Sequence, residues 1–155
     1  MMILTAILMT GMGVGIVTVA DETTASAVNA TVMTPPAGTA DEMTGILAAA
    51  EEWLKLVDDG KFTAAWDASA DLMKTLTAAA DWEKAIVPVK QVFGKVKSRK
   101  LNSQQKMTSL PSAPDGEYMI LIYETSFENK QNSIETLTLM KEKSGHWKVA
   151  GYFIR

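Results

Sequence analysis

The sequence predicts an α+β domain in which N-terminal helices pack on an antiparallel sheet of about four strands. Apolar residues before Gly94 recur at three- and four-residue steps, whereas after it the period falls to about two. The first spacing is typical of helices and the second of strands, and helices followed by strands indicate the α+β class. A hydrophobic fraction of 47% and a charged fraction of 21% are ordinary for a globular domain.

Residues 1–27 are predicted to be a cleaved signal peptide. Met1–Ala20 has no charged side chain, and Ala25-Ser26-Ala27 supplies the small residues that a cut requires. Thr18-Val19-Ala20 is a weaker candidate for the cleavage site. An uncleaved anchor and a buried core segment are the alternatives, since a membrane span needs about 20 apolar residues and this run is barely that long.

Residues 28–38 are then expected to form a flexible linker, and residues 39–155 a single domain. We expect an exported protein, periplasmic or extracellular, that contacts a membrane only if the N-terminal segment is retained. A cut after Ala27 leaves 15 basic against 16 acidic residues. This near-neutral balance is unlike that of a nucleic-acid-binding protein. The absence of cysteine excludes disulfides, thiolate metal sites and cysteine nucleophiles.

The first helix is predicted to begin at Thr39, with Glu42 completing a capping box, and to stop at Gly60. Its apolar face comprises Met43, Ile46, Leu47, Ala50, Trp53, Leu54 and Val57.

Two further helices are predicted, one over about Lys61–Ala70 and one from about Ala78. Pro88 has no amide hydrogen, so we expect the last helix to kink or to end one turn before Gly94. All four tryptophans fall on predicted core faces, which favours core packing over a ligand cage. The inner faces comprise Phe62, Ala65, Trp66 and Ser69 in the shorter helix, and Trp82, Ala85, Ile86, Val89 and Phe93 in the longer one.

Four strands are predicted after Gly94. The second has apolar side chains on both faces, so we expect it to be central and covered on both sides. Short connections between the last three strands predict an antiparallel meander. The predicted strands are Lys95–Leu101 continuing into Lys106–Leu110 with a bulge around residues 102–105, then Glu117–Phe127, Ile134–Glu142 and Trp147–Ile154.

The last eleven residues, GHWKVAGYFIR, resemble the W-x-V-x-GYFI ending of a family of small exported bacterial proteins, domain of unknown function 4019. Trp82–Gly94, Lys97–Arg99 and Leu110–Tyr118 also fit, so the resemblance covers roughly residues 45–155. It implies a cone of helices on a curved sheet, like nuclear transport factor 2 (NTF2) or cystatin, and it brings no known activity. Pro88 departs from the family pattern.

The cone that the resemblance implies suggests where a catalytic group would lie. Enzymes on that fold bind apolar substrates between helices and sheet, which makes Glu124, Tyr123 and Tyr118 the candidate catalytic residues. Tyr152 is a further tyrosine, and Trp66 or Trp82 would be cavity walls. A carboxylate in such a cavity would have a raised pKa. The simpler interpretation pairs Glu124 with a cross-strand lysine near the end of a strand.

Lys95, Lys97 and Arg99 are the candidate ligand-binding residues, because they alternate along one predicted strand face. They would suit an anionic partner such as phospholipid head groups, a cell-wall polymer or an acidic protein. The favoured interpretation is an edge strand protected by charge. His146 is expected in an exposed turn. No metal site is expected, since the adjacent acidic pairs on the first helix point in different directions.

These patterns favour a non-enzymatic binding or interaction domain in the cell envelope. The alternative is a small NTF2-like enzyme or apolar-ligand binder with a cavity between helices and sheet. We expect no cofactor, and a homodimer through the sheet face is a further alternative. An open apolar cavity with Glu124 inside would favour the enzyme, and Glu124 outside a filled core would count against it.

Overall fold

A computed structural model describes residues 40–155. The predicted signal peptide, linker and Thr39 cap lie outside the described residues. Within residues 40–155, no helix combines the length and the apolar character needed to cross a membrane. The elements are α1 (Ala40–Asp58), α2 (Phe62–Ala68), α3 (Asp71–Leu76), α4 (Ala79–Phe93), β1 (Val96–Met107), β2 (Tyr118–Phe127), β3 (Ser133–Lys141) and β4 (Trp147–Ile154).

Helix α1 buries the face that its periodicity predicts. Gly60, with φ of 74°, ends the helix. Its amide bonds the carbonyl of Val57 and the next amide bonds that of Leu56, which is a Schellman motif. The fully buried residues of this face are Ile46, Ala50, Trp53, Leu54 and Val57, while Met43 and Leu47 are partly buried.

The segment after α1 forms two short helices where the sequence predicts one. Trp53 holds α2 against α1, because its indole Nε1 donates to the Ala65 carbonyl at 2.8 Å and to Ser69 Oγ at 2.9 Å. Helix α3 was not predicted, since six residues are too few to show a period. Its N-terminal flank is attached to the sheet through the Ala70 amide, which donates to the Val149 carbonyl at 2.8 Å.

Helix α4 continues through Pro88 to Phe93. Of the two expected outcomes the early end was wrong, and the kink stays a prediction. Proline removes one backbone hydrogen bond, which exposed helix positions tolerate at a cost in stability. The helix ends at Gly94, which has φ of 76°. A side chain there would meet Glu128 and Asn129 at 3.0 Å, so both backbone conformation and space require glycine.

The four strands form one antiparallel sheet in the order β1-β2-β3-β4, which confirms the predicted meander. Strand β1 is continuous, and its register shifts between Leu101 and Ser103 at the edge of the predicted bulge. A second shift lies between Val96 and Ser98. The sheet is open, because β1 and β4 each pair with one neighbour within the described residues.

The two faces of the sheet differ in burial. Odd-numbered residues of β2 and β3, such as Leu121 and Leu137, join the core with the helices. Ile120 and Ile122 on the other face are only partly buried, and Phe153 of β4 is 46% exposed. Within the described residues, β2 is therefore central but not fully covered on both faces as expected.

Candidate functional site

A fully buried carboxylate, Glu135, lies on the core face of β3. It has no solvent exposure and shares strand parity with Leu137 and Leu139, both also fully buried. An ionised carboxylate is tolerated in such a place only when it is paired and hydrogen-bonded. The surrounding side chains meet this requirement.

Arg99 of β1 binds Glu135 through two hydrogen bonds. Its Nε donates to Oε2 at 2.6 Å and its Nη2 donates to Oε1 at 3.0 Å. Thr125 of β2 donates from Oγ1 to Oε2 at 2.5 Å, and the hydroxyl of Tyr152 in β4 donates to Oε1. Each carboxylate oxygen therefore accepts two hydrogen bonds, which leaves little capacity for another donor.

The network continues outward to α1 and α4. Arg99 Nη1 donates to Asp58 Oδ2 at 2.8 Å, and Lys90 Nζ donates to Asp58 Oδ1 at 2.9 Å. Burial alone would raise the pKa of Asp58, but the hydrogen bonds from Arg99 and Lys90 outweigh it and hold the pKa below its usual value. Burial likewise opposes the charge of Arg99, yet its two carboxylate partners raise the pKa of the guanidinium. We call these residues (Asp58, Lys90, Arg99, Thr125, Glu135 and Tyr152) the Glu135 cluster.

The structure does not bring Lys95, Lys97 and Arg99 together. The register shift between Val96 and Ser98 inserts Lys97 as an extra residue opposite β2. Arg99 consequently pairs in register with the buried Thr125, and its side chain is only 17% exposed, whereas both lysines are exposed. A surface of three aligned cations is therefore not formed.

A cleft of about 550 Å³ lies beside the Glu135 cluster, between α1 and the strands β1 and β2. We call it the α1 cleft. Three leucines and Tyr123 supply the apolar part of its lining, and charged side chains supply the rest. It is lined by Leu47, Glu51, Leu54, Lys55, Asp58, Asp59, Arg99, Leu101 and Tyr123.

Most charges lining the α1 cleft are already paired. Lys55 Nζ lies 2.9 Å from Asp59 Oδ2, and Asp58 binds Arg99. Glu51 is the exception, because it forms no ion pair with any other residue from 40 to 155. With three carboxylates against two cations, the lining carries one net negative charge.

Tyr123 lines the α1 cleft and is 6% exposed. Its hydroxyl is buried and has no hydrogen-bond partner among the described residues. Burial first, and then the neighbouring Glu51 carboxylate, raise its pKa to about 12, with Arg99 acting in the opposite direction. The hydroxyl is therefore protonated at neutral pH and able both to donate and to accept a hydrogen bond.

The other two sequence candidates lie away from this cleft. Glu124 is exposed and lies opposite Lys100 in the β1–β2 register, and the two side chains form no ion pair within residues 40–155. Tyr118 is fully buried, and its hydroxyl donates to the Pro114 carbonyl at 2.6 Å. Burial and the nearby Asp115 raise the pKa of Tyr118. It holds the 108–117 loop against the sheet.

A second cleft, of about 690 Å³, borders α1 near its start and includes the exposed His146 and the buried Trp147. Lys106 and Lys141 both approach the carboxylate of Glu42, at 3.1 and 3.2 Å. They also lie over the Trp147 ring at 5.9 and 5.8 Å from its centroid. Lys106 and Lys141 are thus both engaged in contacts within the protein.

Sequence reasoning missed Glu135, although its strand carried a signal. Glu135 alternates along its strand with the same spacing as Leu137 and Leu139, so its side chain faces the core. A charged side chain on that face requires a partner. Arg99 could not be recognised as that partner, because the bulge that turns it inward is invisible in the spacing. Within residues 40–155, no three His, Asp or Glu side chains are grouped as metal ligands would be.

Residues 49–152 match the sequence profile of a family described as "Protein of unknown function (DUF4019)". Comparison with curated proteins and with solved structures gave no match.

Proposed function

The chain belongs to the family described as Protein of unknown function (DUF4019), and we propose that it is a non-enzymatic binding domain of the cell envelope that holds a small, largely apolar molecule in the α1 cleft. The proposal combines the export predicted from the N-terminal residues with the geometry of the cleft. The family description assigns no activity.

The observation that carries the proposal is the state of Glu135 beside the cleft. A general base needs a free lone pair within reach of the proton it removes. Both oxygens of Glu135 already accept two hydrogen bonds each, and its partner Arg99 is bound to a second carboxylate. The cluster therefore supports the cleft wall and offers no acid or base to a substrate.

The enzyme alternative depended on Glu124 inside a cavity. Its exposed position opposite Lys100 supports the non-enzymatic interpretation. Tyr123 alone is a poor proton-transfer group near neutral pH, because its pKa is raised to about 12.

Binding is tested by titrating the isotope-labelled protein with 1-hexanol and following backbone amide shifts by NMR. We expect the shifts to cluster at Leu47, Leu54 and Leu101. Leu47→Trp should fill the cleft and abolish them, whereas Leu76→Trp is the matched control because Leu76 is 66% exposed elsewhere. No saturable shift, or shifts centred on Phe153 and the open sheet face, would overturn the proposal.

Export is tested separately, by N-terminal sequencing of the protein expressed with its own leader and recovered from the envelope fraction. We expect the sequence to start at Val28. An intact Met1 terminus in the cytoplasmic fraction would contradict the envelope assignment.

A further inference from the structure

Resting on the proposed function, we infer that the α1 cleft selects a cationic amphiphile: an apolar body that lies against Leu47, Leu54 and Leu101, with an ammonium group beside Glu51. The inference follows from the charge that remains once the internal ion pairs of the cleft are accounted for.

An apolar body has a prepared surface. Leu54 is 2% exposed, and Leu47 and Leu101 are partly buried against the core cluster. A volume of about 550 Å³ is ample for a chain of six carbons. Covering the exposed parts of Leu47 and Leu101 is favourable in proportion to the apolar area removed from water.

An anionic head group meets only cations that already have carboxylate partners. Arg99 is bound by Glu135 and Asp58, and Lys55 is bound by Asp59. An incoming carboxylate would share Lys55 with Asp59 at an exposed surface pair, where the gain is small, and drawing Arg99 away would leave Glu135 buried without its counter-charge. Such an uncompensated buried charge is strongly destabilising.

A cationic head group finds Glu51 without a partner in the described part of the chain. Glu51 and Tyr123 line the same cleft, and the carboxylate acts electrostatically on the buried Tyr123 hydroxyl. An ammonium group beside Glu51 gains a charge-assisted hydrogen bond to its carboxylate. The net negative charge of the cleft lining also favours a cationic head group.

The test compares hexylamine, hexanoate and 1-hexanol at pH 7, because the three share a six-carbon body and differ in head-group charge. Dissociation constants are measured by amide shifts in the full protein. We expect hexylamine to bind at least tenfold more tightly than hexanoate and more tightly than 1-hexanol, with the preference weakening as salt is added.

Glu51→Gln should lower the affinity for hexylamine and remove its preference over 1-hexanol. Glu52→Gln is the control, since Glu52 is the adjacent exposed residue of α1 and does not line this cleft. Equal binding of amine and alcohol, or a preference that survives Glu51→Gln, overturns the inference and leaves the proposed function standing. Failure of all three probes to bind removes the proposed function as well.

Discussion

Arg99 on β1 and Glu135 on β3 are joined across β2 by two hydrogen bonds, Nε to Oε2 at 2.6 Å and Nη2 to Oε1 at 3.0 Å. Glu135 is fully buried and Arg99 is 17% exposed, so water screens this pair little. The two residues therefore depend on each other more strongly than a surface ion pair would.

Replacing Arg99 by methionine should lower the free energy of unfolding by about 3–5 kcal/mol, because Glu135 is left buried without its counter-charge. Urea denaturation at pH 7 measures the loss. Lys97→Met is the control, since an exposed lysine two residues away should change stability by no more than about 0.5 kcal/mol. The double variant Arg99→Met/Glu135→Met should be more stable than Arg99→Met alone, and equal stability of R99M and K97M would contradict the arrangement.

Stability should fall in acid as Asp58 is protonated. The folded-state pKa of Asp58 lies below its ordinary value of 3.8, so its contribution is present above that value and is lost as pH falls through the folded pKa. Urea midpoints between pH 7 and pH 2 follow the loss. Asp58→Asn should be less stable at pH 7 and should show a shallower decline below about pH 4. Identical slopes for the two proteins would show that other carboxylates account for the decline.

Tyr152→Phe should be less stable at pH 7 by about 1.5–3 kcal/mol, the usual contribution of a hydrogen bond to a charged group. The variant should also lose less stability than the parent protein as the pH rises above about 10. Burial, and then Glu135, raise the pKa of Tyr152 well above 10, so its contribution is complete below about pH 10 and is lost at higher pH. Stability measured from pH 8 to 12 checks both effects. A variant as stable as the parent at pH 7 would mean that the hydroxyl does not hold Glu135.

Pro88→Ala should stabilise the protein by about 1–2 kcal/mol. Alanine restores the backbone hydrogen bond that proline removes from a helix interior, and the greater freedom of the unfolded chain offsets part of the gain. Pro88 is exposed, so no packing is lost. Thermal unfolding measures the change. A lower melting temperature for Pro88→Ala would contradict this expectation.

Patterns that repeat over several turns or strands were predictable from the sequence. The apolar face of α1 was identified because its seven members recur with helical spacing. Five of them are buried in the structure. The order of the last three strands followed from their short connections. Helix α3 has only six residues, so no periodic signal could reveal it.

The candidate site was less predictable, because it depends on contacts between distant segments. Tyr123 was a candidate because of the cone fold that the family resemblance implies. Glu51 was considered only as a metal ligand, since its lack of an ion pair becomes visible only when the other charges have found partners. Glu135 and Arg99 are 36 residues apart in the chain, and spacing alone does not connect them.

The bulge at Lys97 has a consequence for aligning relatives of this chain. Counting alternate residues forward from Gly94 assigns Arg99 to solvent, whereas counting back from its partner Thr125 assigns it to the interior. A homologue with one residue more or fewer between Gly94 and Arg99 would keep the arginine side chain in the interior. The number of residues between the glycine and the arginine would then differ from that in this chain. Alignments of this segment should therefore allow a gap before the arginine and be anchored on β2.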